Sequence, residues 1–243
     1  MRNEFAKMRH LRVGLLAAVL AIGVFVVTAA TGLTNPSFDT ATPDSWNALL
    51  GSMASGVGLV APLVLAVLAS RQVDVEHRGS GWLLAATAGV TGGQLCRAKL
   101  VTLAIVVTAA TVAASAAMAG LGLLVGVTAP VPLGRWLGFT AAVVTVNLVV
   151  LAVQVLLSAH VENQLVGIGV GLLGTILALF GASVPTWLTH LTPWGYYSLS
   201  RPAAYHGHDL VAVSPWYGSI AALAVVAAVG VVVITARLDR QEA

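Results

Sequence analysis

The chain has 243 residues, of which 58% are hydrophobic and 9% are charged, and its mean hydropathy is +0.93. This composition excludes an ordinary water-soluble domain and indicates an integral membrane protein. The formal net charge of +3 comes from basic residues near the ends of apolar stretches. That pattern is typical of membrane topology, so no nucleic-acid partner is predicted.

The apolar residues form runs that are long enough to cross a membrane. A helix of about 20 mainly apolar residues spans the hydrocarbon core, and six stretches qualify: 13–31, 47–70, 100–127, 136–159, 165–183 and 215–236. These runs are uninterrupted, whereas the strands of a membrane barrel alternate in polarity over about 10 residues. The sequence therefore predicts an all-α polytopic protein, with six transmembrane helices in a single membrane domain, 1–243.

The residues before the first span, "MRNEFAKMRHLR", place Phe5, Met8 and Leu11 at helical spacing, with charged residues in other directions. This pattern predicts an amphipathic interfacial helix at 1–12, and a frayed basic tail is the alternative. A cleaved signal peptide fits less well, because the apolar run of 13–31 is long for one.

The positions of the lysines and arginines predict the orientation, since short loops rich in them remain in the cytoplasm. Ten of the twelve lie before the first span, between the second and third, or after the sixth, and only Arg135 and Arg201 lie elsewhere. Both termini and the connection 71–99 are therefore predicted to be cytoplasmic, and three segments to be external: 32–46, 128–135 and 184–214. The chain reads as a multi-pass protein of a bacterial-type plasma membrane.

The connection 71–99 is several times longer than an antiparallel helix pair needs, so it is expected to form a structure of its own. Its "SGWLLAATAG" can begin a helix at Ser80, and Gly89 or the pair Gly92 and Gly93 can end it. Charged residues flank this short apolar helix on both sides. Such a surface suits a soluble protein that docks from the cytoplasm, and ordinary solvated charges at membrane exits are the alternative.

The fourth span carries polar residues along one face, at spacings of seven, seven and four: Thr140, Asn147, Gln154 and Ser158. Polar side chains in hydrocarbon normally face protein or water. This polar stripe is therefore a candidate substrate pathway or subunit seam, and hydrogen bonding inside one bundle is the alternative. The predicted spans contain no Asp, Glu, Lys or Arg, which argues against an ion-coupled carrier.

The external segment 184–214 is rich in aromatic residues, because seven of the ten Trp and Tyr side chains lie between Pro185 and Tyr217. Such rings favour the headgroup layer, and four prolines predict short helices or turns at the outer surface. The motif "HGHD" could ligate zinc through His206, His208 and Asp209, but it is more typical of a turn, and no metal site is predicted.

An ATP site of the G-x-x-x-x-G-K-[ST] type requires a lysine directly after a glycine. The two lysines, Lys7 and Lys99, each follow an alanine. We therefore expect no ATP site, no cofactor and no enzymatic activity in this chain, and an external ATPase fits the absence of ionisable groups in the predicted spans.

The stretch "EHRGSGWLLAATAGVTGGQLCRAKL" resembles the segment between the second and third spans of type-2 ATP-binding-cassette (ABC) exporter permeases. Glu76, Gly79, Ser80 and Lys99 match that pattern, whereas Gly89 stands where the family favours Pro and Gly92 where it favours Arg. The stretch "LTHLTPWGYYSLSRP" is similar to the small permeases of lanthipeptide immunity and peptide-antibiotic resistance.

The resemblance implies that residues 80–90 form a coupling helix, which docks into a cytoplasmic ATPase. The residues implied at this contact are Glu76, Gly79, Ser80, Trp82, Leu83, Ala85, Ala86 and Lys99. A second, smaller inner contact would fall at His160 and Glu162, although a plain tight turn is the alternative there. In this family the segment before the sixth span caps the outer end of the pathway, and the candidate outer-gate residues are Trp187, Trp194, Tyr196 and Tyr197.

The implied function is ATP-driven export of an amphipathic, peptide-antibiotic or lipid-like substrate. The implied partners are two copies of an ATPase subunit that binds ATP and Mg²⁺, a second permease that is identical or homologous, and membrane lipids. The alternative is a non-transporting immunity or scaffold protein that binds its target at the outer surface.

Overall fold

The structure, a computed structural model, describes residues 11–206 and 209–241. Six helices in these ranges are long and apolar enough to cross a membrane: α1 (Val13–Leu33), α2 (Asp44–Arg78), α4 (Gly92–Leu124), α5 (Leu133–His160), α6 (Gln164–Phe180) and α9 (Tyr217–Gln241). They confirm the predicted all-α architecture with six spans. The predicted amphipathic helix at 1–12 lies, but for its last two residues, outside the described residues.

The remaining elements are short. They are α3 (Gly81–Thr87), α7 (Thr186–Thr189), α8 (Tyr196–Leu199), strands β1 (Ala203–His206) and β2 (Asp209–Ala212), and 3₁₀ turns at Gly181–Ser183 and Pro193–Gly195. Consecutive long helices run in alternating directions, so α3 lies at one end of the bundle and the β1–β2 hairpin at the other. We name these the α3 end and the hairpin end.

Helices α2 and α4 extend well beyond the predicted spans at the α3 end. Hydropathy marks only the apolar part of a helix, whereas backbone hydrogen bonding continues into its polar ends. The 35 residues of α2 measure about 50 Å, against a hydrocarbon core of about 30 Å. The charged residues near Arg78 can therefore lie beyond the hydrocarbon.

Helix α2 lies at the centre of the bundle, since 67% of its apolar stretch is buried, and α9 lies at the periphery, with 11% buried. Trp46 of α2 packs edge to face against Trp136 of α5, with ring centroids 5.6 Å apart. Helix α6 approaches α2 closely, because a Cβ on Gly171 would lie 2.4 Å from that of Ala66. Midway along α2 stands Pro62.

The segment 184–214, which was predicted to be external, combines the predicted short helices and turns with a hairpin that was not predicted. Strands β1 and β2 pair antiparallel, with Ala203 opposite Ala212. The Tyr205 hydroxyl bonds Asn35 in the connection between α1 and α2, at 2.8 Å. The hairpin is thereby attached to the hairpin end of the bundle.

Candidate functional site

Helix α3 is a seven-residue element enclosed by two turns in left-handed backbone conformation. The helix begins directly after Ser80, as predicted, although Ser80 has a φ of 51° and its side chain makes no capping bond. The helix ends in a Schellman motif, in which Val90 N–H donates to the Ala85 carbonyl at 2.9 Å. Gly89, with a φ of 74°, supplies the conformation that this motif requires.

The surface of α3 is apolar and exposed. None of its seven residues is buried, and the side chains of Leu83 and Leu84 are 67% and 65% exposed. Adjacent exposed leucines at the polar end of a bundle make α3 a candidate interaction surface.

Trp82 connects α3 to two of the long helices through His77. The indole N–H of Trp82 donates to Nδ1 of His77 at 3.3 Å, and Nε2 of His77 lies 3.0 Å from the Ser158 carbonyl. Because Nδ1 accepts, the ring proton resides on Nε2 and is donated to Ser158. These two hydrogen bonds therefore connect α3 to the ends of both α2 and α5.

A buried ion pair lies beneath the start of α3. Nζ of Lys99 lies 2.7 Å from Oε1 of Glu76, and the two side chains are 0% and 2% exposed. Lys99 also donates to the Gln72 carbonyl at 3.0 Å. A Cβ on Gly81 would collide with the Glu76 carboxylate, so glycine is required where α3 passes over the pair.

The second predicted inner contact lies beside the first. Glu162 lines an open cleft of about 460 Å³ together with Asp74, His77 and Arg78 of α2. The His160 ring bonds the Leu156 carbonyl of its own helix at 2.9 Å. The structure thus places Glu162 beside His77 and the end of α2, which directly precedes α3.

The half of the polar stripe nearer the hairpin end is hydrogen-bonded across helices. The hydroxyl of Thr140 lies 2.6 Å from that of Ser115 on α4. Asn147 donates to the Thr111 hydroxyl at 3.0 Å and accepts from the Tyr197 phenol at 2.7 Å. These bonds hold α4, α5 and α8 together.

The half of the stripe nearer the α3 end is buried without such partners. Both amide atoms of Gln154 and the hydroxyl of Ser158 make no hydrogen bond to any other residue that the structure describes, and neither does the hydroxyl of Ser70 on α2. Gln154 is 0% and Ser70 2% exposed. All three side chains point toward the bare backbone of Gly167 on α6, within 4.0 Å of where its Cβ would stand. We call these three residues the unpaired cluster.

The candidate outer-gate residues divide into two groups. Trp194, Tyr196 and Tyr197 are buried at the hairpin end, whereas Trp187 is 66% exposed. Burial raises the pKa of the Tyr197 phenol, so it remains a hydrogen-bond donor to Asn147 throughout the physiological range. The gate and the stripe, predicted separately, are thus joined by one hydrogen bond.

Residues 1–178 match the family model described as ABC-2 family transporter protein. The chain belongs to this family. The match includes α1 to α5, with α3 among them, and all but the last two residues of α6. No curated protein matches the chain.

An ABC-2 permease is the transmembrane component of an ABC transporter, has no ATPase domain of its own and associates with an ABC ATPase. At the α3 end, the exposed apolar α3 lies beside exposed charged residues such as Arg71 and Arg78, so this end is accessible to a partner. Within 11–206 and 209–241, no three His, Cys, Asp or Glu side chains are grouped so that they could hold a metal ion.

Sequence reasoning missed three residues of this permease that the structure places beside the predicted ones. His77 was taken as part of a charged flank, Ser70 as an ordinary residue of the second span, and Asp239 near the end of α9 was not considered. Asp239 carried a signal, because it is an acidic residue between Arg237 and Arg240 at the end of the last span.

Proposed function

We propose that this ABC-2 permease binds a cytoplasmic ABC ATPase through α3 and exports an amphipathic substrate. The observation that carries the proposal is α3 itself, a short exposed apolar helix that is attached to the long helices through Trp82 and His77. The attachment allows a displacement of α3 by the ATPase to reach α2 and α5 directly.

The orientation follows from charge. The basic residues at the α3 end favour the cytoplasm, so the hairpin end faces outward. The working unit contains two ATPase subunits and a second permease, identical or homologous, in the plasma membrane of a bacterial-type cell.

The unpaired cluster is proposed as the inner part of the pathway. Each buried polar group without a partner costs about 1–3 kcal/mol, which favours an arrangement that brings water or a polar part of the substrate to Gln154. The hydrogen bond from Tyr197 to Asn147 then closes the outer part of the same pathway.

The substrate class follows from the hairpin end. Three large apolar residues at this end are between 52% and 67% exposed: Trp187, Leu191 and Trp216. The indole rings of the two tryptophans favour the headgroup layer. We propose a peptide-antibiotic or lipid-like substrate that leaves at this surface, in keeping with the resemblance of 188–202 to permeases of peptide-antibiotic resistance.

The test is co-expression of the permease with the ABC ATPase encoded nearest to it. We expect the two to co-purify and, in lipid nanodiscs, to hydrolyse ATP faster when an amphipathic peptide is added. A permease that protects cells from the peptide without binding any ATPase would instead be the non-transporting immunity protein.

A second test concerns the topology and uses introduced cysteines as labels. The chain's one cysteine, Cys96, is buried, and it is replaced by serine as a precaution. A cysteine introduced at Ser214, at the hairpin end, should react with a membrane-impermeant thiol reagent added to intact cells. A cysteine at Thr87 of α3 should react only after the cells are opened. Labelling of Thr87→Cys from outside would reverse the orientation.

A third prediction concerns the unpaired cluster. Gln154→Leu should raise the thermal unfolding midpoint of the detergent-solubilised permease by about 2–4 °C for each kcal/mol gained, because it removes two buried polar atoms without partners. Transport by the same variant should fall.

The matched control is Asn147→Leu on the same face of α5. It removes the bonds that Asn147 makes with Tyr197 and Thr111 and should lower the midpoint. A destabilised Gln154→Leu, or one with unchanged transport, would remove the cluster from the pathway.

A further inference from the structure

Asp239, near the end of α9, contacts the beginning of α4, where the chain continues after α3. One of its carboxylate oxygens accepts a hydrogen bond from the Thr91 hydroxyl, and the other accepts one from Arg97 at 3.0 Å. Thr91 is also the N-cap of α4, where its hydroxyl accepts from the Gln94 N–H at 3.3 Å in a capping box. Asp239 therefore holds the residue that begins α4.

The backbones of α4 and α9 are in close contact at this point. A Cβ on Gly93 would lie 2.1 Å from the Thr235 carbonyl oxygen and 2.3 Å from Oδ1 of Asp239. No other residue type fits there without separating the helices. Gly93, which in the sequence looked like a helix stop, lies inside α4 and allows Asp239 to reach Thr91.

Elsewhere α9 is lightly held. It is the least buried of the long helices, and it packs mainly against α4 and α5. At its other end, the Trp216 N–H just before α9 donates to the Leu199 carbonyl of α8 at 3.0 Å. Helix α9 thus runs from the exit of α3 to the segment that contains Tyr197.

We infer that Asp239 is a positioning residue, which makes α9 move together with the α3 segment and so transmits docking movements to the hairpin end. The inference rests on the proposed function, since it assumes that an ATPase moves α3. It adds a connection that bypasses the core. The first connection runs through Trp82 and His77 to α2 and α5, whereas this one runs along α9 to the aromatic segment.

The contact is suited to transmission more than to stability. The side chains of Arg97 and Asp239 are 41% and 27% exposed, and partly exposed ion pairs contribute little to folding. The two carboxylate oxygens of Asp239 nevertheless bind two different side chains, Thr91 and Arg97. Together these contacts restrain both the position and the orientation of the end of α9. Loss of the carboxylate should therefore uncouple the movements while the fold remains.

The experiment compares wild type, Asp239→Ala and Arg240→Ala in nanodiscs with the ATPase. We expect Asp239→Ala to retain the ATPase and to hydrolyse ATP at the basal rate, while peptide transported per ATP falls by about tenfold, the size of a typical coupling. Arg240→Ala, at the same helix end and outside the contact, should behave as wild type.

The outcomes separate the two proposals. A wild-type permease that binds no ATPase contradicts the proposed function, whatever Asp239 does. An active wild type with unchanged transport per ATP in Asp239→Ala contradicts the role of Asp239 alone. If Asp239→Ala does not fold, Asp239→Asn and Thr91→Val each weaken one contact, and unchanged coupling in both would equally overturn the inference.

Discussion

A permease that carries Leu83→Glu and Leu84→Glu is expected to lose its ATPase completely on purification. The two leucines are exposed large apolar side chains of α3, and the proposed contact buries them. Two unpaired carboxylates would then have to be desolvated in the interface, at a cost of several kcal/mol each. Since 1.4 kcal/mol corresponds to a tenfold change in affinity, no detectable complex should remain, and transport should be abolished.

The control for this variant is Leu191→Glu. Leu191 is also 67% exposed but lies at the hairpin end, away from α3. It adds one negative charge where the α3 variant adds two, and it places that charge far from the proposed contact, so it should leave ATPase binding unchanged. Equal folded yield of both variants, measured by gel filtration in detergent, separates docking from folding. Retention of the ATPase by the α3 variant would show that α3 is not the docking element.

The second large effect is expected at the buried ion pair. Lys99→Met removes the ammonium group that lies against the buried Glu76 carboxylate, and removing one member of such a pair costs about 3–5 kcal/mol. The thermal unfolding midpoint should fall by roughly 6–20 °C. The start of α3 should loosen as well, because Gly81 packs on the Glu76 carboxylate.

The double variant Glu76→Leu with Lys99→Met tests the explanation. Replacement of a whole buried pair by apolar residues is often neutral or stabilising, so the double variant should recover most of the lost stability. If it is as unstable as Lys99→Met, the loss comes from packing around the lysine stem and the ion pair is not the cause.

The fold was predictable because its main determinant, apolar length, is local in the sequence. All six spans were found. The largest boundary errors fall at polar helix ends such as Arg78 and Gly92, where the helix continues beyond the residues that hydropathy can detect. The position of α3 was also predicted, because a short run of small and apolar residues between charged flanks is typical of a short helix of its own.

The contacts of the site could not be predicted, because they depend on how the helices are rotated and which of them are neighbours. Glu76 and Lys99 are 23 residues apart, and the sequence suggested only that both lie at membrane exits. The spacing of Asn147 and Gln154 placed them on one face of a helix. It did not indicate that Asn147 would be hydrogen-bonded at both amide atoms and Gln154 at neither.

Pro62 gives α2 a preferred place to bend. Proline has no N–H, so the backbone bond that would cross this turn is missing, and sharp helix bends concentrate at such points. From Pro62 to Arg78 the helix measures about 24 Å, and this arm carries both Glu76 and His77. A bend of about 10° at Pro62 would swing the far end of the arm by about 4 Å. A small change of angle at Pro62 would therefore displace α3 by more than the length of a hydrogen bond. The second half of α2 would act as a lever between the middle of the bundle and α3.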